Sequence, residues 1–165
     1  MTAPLENPAQ FHVLAATGWL ELGNWQEAKA ELDQIPAEQQ SHPDALRVRW
    51  AVHAAAKEWD RAIVAAEAVA RAVPDDSFGY VHQAFALHEL KQTQQAWDLL
   101  QPLADHFPKE YLIRYNLACY ACQLGRIPEA LKLLQEAAKI GGDKINKMAL
   151  ADPDLAPLKD SIPNP

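Results

Sequence analysis

Small and apolar residues return along this chain every 34 positions. Ala28, Ala62, Ala96 and Ala130 stand in one column, and the steps between them (62−28, 96−62, 130−96) are each 34. Twelve positions earlier stand Ala16, Trp50, Ala84 and Ala118. Four positions after the alanines come Leu32, Ala66, Leu100 and Leu134, and seven after come Ile35, Val69, Leu103 and Ala137. Apolar residues at i, i+4 and i+7 form a stripe down one side of an α-helix. Small residues recur where two helices must approach closely. A fixed period of this length marks stacked helical repeats, in which each unit buries its apolar face only against its neighbours.

The punctuation of the chain keeps the same register. Asn7-Pro8 predicts a capped start for the first helix, with the proline in its first turn. Gly23-Asn24 breaks that helix, and Asn24 with Glu27 predicts a capping box for the second, which Pro36 stops early. Pro43-Asp44 opens the second pair and Lys57-Glu58 is its turn. Asp75-Asp76-Ser77 caps the third pair. Pro108-Lys109-Glu110 opens the fourth, Leu124-Gly125-Arg126 is its turn, and Pro128 lies just inside its second helix. Eight helices of ~10–15 residues are expected, the ordinary globular length, with no strand. Pro102 falls inside the sixth and should kink it. After Gly141-Gly142, residues 143–150 predict one more helix, and Leu150, Leu155 and Leu158 are expected to cover the open face of the last repeat. Ile162-Pro163-Asn164-Pro165 reads as a loose end.

Composition narrows the class. A hydrophobic content of 49% over 165 residues supports a folded domain with a substantial core. The net charge of −7, without a basic run, disfavours nucleic acid and anionic membrane as partners. The start, Met1-Thr2-Ala3-Pro4-Leu5-Glu6, lacks the pattern of a signal peptide, and no apolar run reaches the ~18 residues that span a bilayer. Two cysteines make no disulfide framework. The expectation is a cytoplasmic protein.

With its small residue, an alanine twelve later, an apolar residue four further on and a terminal Pro74 or Pro108, the chain resembles the tetratricopeptide repeat family, in particular small bacterial members. The match covers about residues 8–142. The unit from Tyr115-Asn116-Leu117-Ala118 to Gly125-Arg126-Ile127-Pro128-Glu129-Ala130-Leu131 carries it best. Trp50 departs from the pattern where a small residue is usual, and the first unit has Gln40 in place of the terminal proline. The resemblance implies a single all-α domain over 1–165, a right-handed superhelical solenoid of four hairpins (about 8–40, 42–74, 76–108 and 110–142) with a C-terminal cap at 143–160.

The resemblance also implies a concave groove lined by the first helix of each repeat. Five columns carry over: Gln10, Asp44, Phe78, Leu112; Val13, Arg47, Val81, Tyr115; Thr17, Ala51, Phe85, Cys119; Leu20, Ala54, His88, Cys122; and Glu21, Ala55, Glu89, Gln123. The expected partner-binding residues are Arg47, Ala51, Phe78, Val81, Phe85, His88, Tyr115, Cys119 and Cys122. Arg47 is the single groove cation, and Phe78, Val81, Phe85, His88 and Tyr115 form an apolar and aromatic wall. Such a surface suits an extended or helical peptide with apolar anchors. Arg47 turned to solvent and the aromatics buried as core are the plain alternatives. The Lys and Asn pattern of arrays that clamp acidic chaperone tails is missing from these columns.

Catalytic chemistry finds no footing. There is no phosphate loop, Ser41, Ser77 and Ser161 stand in no nucleophile elbow, and the six histidines form no metal motif. No cofactor and no metal are expected. Cys119-Tyr120-Ala121-Cys122 with His88 allows a metal or redox site, with small groove-floor residues as the better account. Three readings follow: a non-catalytic protein-interaction module or scaffold, a secretion-type chaperone holding an apolar segment of its partner, and a metal or redox protein. An exposed end face or Trp50 would support a homo-dimer.

Overall fold

The computed structural model describes residues 4–163. Positions 1–3 and 164–165, which entered the reading of the chain's start and of its loose end, lie outside them. Among the described residues are nine α-helices and no strand: α1 (Ala9–Glu21), α2 (Trp25–Leu32), α3 (Pro43–Ala55), α4 (Trp59–Ala72), α5 (Phe78–Glu89), α6 (Thr93–Leu100), α7 (Tyr111–Gln123), α8 (Ile127–Gly141) and α9 (Lys144–Ala151). A 3-10 segment, Pro153–Ser161, follows α9. The fold is an all-α solenoid of helical hairpins closed by a further helix. The chain forms two compact units, residues 1–86 and 87–165, and the division falls within α5.

The four hairpin turns share one backbone geometry. Gly23, Lys57, Lys91 and Gly125 all adopt positive φ, at 75°, 57°, 63° and 76°. At each, the left-handed residue donates to the carbonyl three residues back and its successor donates to the carbonyl five back, as in Gly23 N–H to Leu20 at 2.9 Å and Asn24 N–H to Trp19 at 2.9 Å. Lys57 and Glu58 repeat this with Ala54 and His53, Lys91 and Gln92 with His88 and Leu87, and Gly125 and Arg126 with Cys122 and Ala121. These bonds satisfy carbonyls that the helix end would leave open.

Helix starts follow local chemistry. Asn24 Oδ1 accepts from the Glu27 amide at 3.2 Å, Asp76 Oδ1 from Phe78 at 2.8 Å and Glu110 Oε1 from Leu112 at 3.0 Å. The His42 ring accepts from the Asp44 amide at 3.2 Å, with Pro43 at the first helical position. The start of α1 corrects the expected asparagine cap. Pro8 itself takes the cap position, no side chain caps the helix, and the Gln10 amide bonds the carbonyl of Glu6 at 3.0 Å. Pro102 ends α6 rather than kinking it, and the chain continues as a 3-10 turn over Gln101–Leu103. The proline has no amide to donate and its ring clashes with the preceding turn. With Pro36 stopping α2 as well, both helices have 8 residues, below the expected length.

The 34-residue columns are the core. Ala28, Ala62, Ala96 and Ala130 are fully buried, as are Ala16, Ala84 and Ala118, with Leu32, Ala66, Leu100 and Leu134 beside them. In the first unit Ala9, Ala16, Ala28, Leu32, Ile35, Ala45 and Val52 form one apolar cluster. Full burial of each Leu, Ile or Val is worth about 1.5–3 kcal/mol. At Gly79 the backbone of α5 meets that of α4 directly: a Cβ there would lie 2.5 Å from Ala70 N and 2.8 Å from Ala66 O. At the other end of the chain Ile162 is buried, so the stretch that reads as loose is packed at that residue.

Candidate functional site

In the first unit, α3 and the start of α5 bring an aromatic group together. Phe78, His82 and Phe85 follow one stripe of α5. Phe78 and His82 stack at 3.7 Å between ring centroids. Trp50 of α3 stands edge-on to His82 at 4.2 Å, to Phe78 at 6.0 Å and to Phe85 at 6.4 Å. Trp59, at the start of α4, meets Phe85 edge-on at 5.8 Å. Edge-to-face packing of this kind suits the aromatic quadrupole and holds the rings rigidly. The large residue that breaks the small-residue column therefore supports the aromatic face. Phe85 remains 37% exposed on top of it.

The other expected residues of this unit have different surroundings. Arg47 donates to Asp44 at 3.0 Å and to Asp76 at 2.8 Å, and its guanidinium lies 5.5 Å from the Phe78 ring centroid. Its guanidinium is thus paired with two carboxylates and stays partly exposed. Val81 is buried with Ala84 and belongs to the core. Ala51 is half-buried on α3.

In the second unit the expected binding residues are covered by the chain itself. His88 and Tyr115 are each 6% exposed, Cys119 is 5% exposed, and Cys122 is also buried. The 3-10 segment after α9 packs on α7, α8 and α9. Its cap residue Asp152 accepts from the Tyr115 hydroxyl at 2.8 Å and from Cys119 Sγ at 3.7 Å. Asp154 Oδ2 lies 3.0 Å from His88 Nε2, and the Asp154 carbonyl accepts from Gln123 Nε2 at 3.3 Å. Leu155 and Leu158 are buried as expected, but their segment lies on the α7 face that the resemblance had assigned to a partner.

This cover sets the chemistry beneath it. Burial first, and then the hydrogen bond to Asp152, push the Tyr115 phenol above its usual range. Burial followed by the Asp152 and Asp154 charges raises Cys119, and burial followed by Asp154 and Asp152 raises Cys122. Both shifts disfavour the thiolate, the nucleophilic form of cysteine. Among the described residues no group of three His, Cys, Asp or Glu side chains is placed to hold a metal ion. No helix among them is long and apolar enough to cross a membrane.

Asp152 and Asp154 had no place among the expected site residues. Their signal was the Asp-Pro-Asp run just after a helix, where an aspartate caps the next turn: Asp152 Oδ1 accepts from the Asp154 amide at 2.9 Å.

No protein-family model matches the chain, and no curated protein is similar to it. Solved structures are similar in fold. MamA residues 41 to the end, from Desulfovibrio magneticus RS-1, superposes with a TM-score of 0.70 at 15% identity, over 95% of this chain and 92% of that one. A MamA double mutant designated RS-1 ArsTM gives a TM-score of 0.70 at 19% identity, over 85% of this chain and 79% of that one. At these identities the likeness is one of fold alone, and it supports a helical-repeat fold of the tetratricopeptide type.

Proposed function

We propose that the protein is a non-catalytic interaction module, and that a peptide or helix of a partner protein docks through an apolar anchor on the α3–α5 face. The observation that carries this reading is Phe85, exposed at 37% while its ring is braced by Trp50 and Trp59. A large apolar side chain held in place by its neighbours loses little freedom on binding, which is the property of interface anchors. Ala51 and the partly buried Phe78 would extend the surface, with Arg47 fixing Phe78 rather than reading charge. The likeness to MamA supports the framework for such a surface, not its ligand. The burial of Cys119 and Cys122 and their raised thiols favour this reading over a metal or redox role.

A photo-crosslinking amino acid in place of Phe85, compared with one in place of the exposed Val64 of α4, tests the reading in cells. A defined protein adduct at position 85 and none at 64 is expected. One adduct of fixed stoichiometry marks a dedicated chaperone, and several mark a scaffold. Equal labelling at both positions, or none at either, refutes the assignment.

A further inference from the structure

Four side chains that the family register places on the first-helix faces hold the segment after α9. His88 reaches Asp154 Oδ2 at 3.0 Å, Tyr115 and Cys119 reach Asp152 Oδ2 at 2.8 and 3.7 Å, and Gln123 reaches the Asp154 carbonyl at 3.3 Å. They come from four of the five expected groove columns and meet oxygens of one short stretch, while Leu155 and Leu158 fill the apolar part. The stretch is thus bound as a peptide ligand would be, by donors to its carboxylates and burial of its leucines.

Its conformation points the same way. Pro153–Ser161 is a 3-10 run of 9 residues that includes Pro153 and Pro157. Runs beyond ~3–4 residues are poorly supported by their own hydrogen bonds, so the surface beneath this one holds its shape. The prolines restrict the backbone in advance and reduce the ordering cost of docking.

We infer that residues 152–158 are a displaceable occupant of a peptide seat on α7, and that the seat takes from a partner protein a segment of the same chemistry: carboxylates at i and i+2, leucines at i+3 and i+6. The inference rests on the reading of first-helix faces as peptide seats and adds which peptide the second unit selects. While the segment is docked the seat is closed.

Two measurements on the full-length chain test it. In native-state hydrogen exchange, the Leu155 and Ile162 amides should exchange at least tenfold faster than the α7 amides, by local opening. Exchange in step with α7 would identify a fixed structural cap and overturn the proposal. In a titration with a labelled peptide of residues 150–163, the variant carrying Asp152→Ala and Asp154→Ala should bind at least tenfold more tightly than the unaltered protein. The same peptide with both aspartates replaced by alanine should not bind. A variant that binds no more tightly, binds both peptides equally or fails to fold counts against the seat. Failure here leaves crosslinking at position 85 unaffected, and loss of that crosslinking with peptide binding intact separates the two readings in the other direction.

Discussion

His88 Nε2 and Asp154 Oδ2 lie 3.0 Å apart although 66 positions separate them in sequence. The other ring nitrogen, Nδ1, is 3.0 Å from the Thr93 hydroxyl. The ring is thus held between two partners, with Nε2–H donating to the carboxylate. Loss of a partner to a buried donor costs about 1–3 kcal/mol. Asp154→Ala should therefore lower unfolding stability by that amount, while Asp154→Asn, which keeps an acceptor oxygen, should recover most of it. Chemical denaturation of the two variants checks this, and equal losses would mean that the contact has no acceptor role.

The repeated left-handed turn yields a stabilising change. Lys57 and Lys91 hold φ of 57° and 63° where the first and fourth hairpins use glycine. A side chain at positive φ is strained, and glycine relieves it at some cost in unfolded-chain entropy. Lys57→Gly and Lys91→Gly should each raise stability by about 0.5–1 kcal/mol. Thermal melts should show the two increments adding, since the turns are separate. A decrease for either would mean that its lysine side chain contributes more than the turn strain costs.

Gly79 predicts the opposite. Its missing Cβ is replaced by the backbone of α4, with Ala70 N at 2.5 Å from the ideal Cβ position. Backbone cannot rotate aside, so Gly79→Ala must push α4 and α5 apart. A destabilisation of about 1–3 kcal/mol is expected, in the range of overpacked cores. Gly18, with open space around its ideal Cβ, is the control, and Gly18→Ala should be neutral or stabilising. Similar melts for both variants would disprove the close approach.

Glu58 makes one component of stability acid-sensitive. Its carboxyl is held below the usual range, first by the hydrogen bond with His53 and more weakly by Arg61, against a partly opposing desolvation. The unfolded chain then binds the proton more readily than the folded one. Stability rises with pH between the two values, is fully present above the ordinary carboxylate range and fades as pH falls through the lowered one. The melting temperature of the unaltered protein should exceed that of Glu58→Gln at pH 7, and the gap should close under acid. A gap that does not depend on pH would argue against the linkage.

The architecture could be read from the sequence because its causes are periodic. Each column alanine is buried for the same reason, so one interval reports all of them. The site was legible only in part. Phe78 and Phe85 share one aromatic group with Trp50, but Arg47 is paired with Asp76, 29 positions downstream. Tyr115 and Cys119 are gripped by Asp152, 37 and 33 positions downstream. Both partners lie in connecting segments outside the repeated helices, and a column of equivalent positions carries no information about them. Trp50 was legible as an exception, though its role needed the placement of Phe85.

A turn closed by main-chain bonds alone leaves little trace in the letters that encode it. Gly23, Lys57, Lys91 and Gly125 make the same bend with two unlike residue types. Mutations can accumulate at these corners without changing how the hairpins pair. The pairing of hairpins therefore asks little of the letters at these corners, and a fold can superpose at a TM-score of 0.70 with 15% identity.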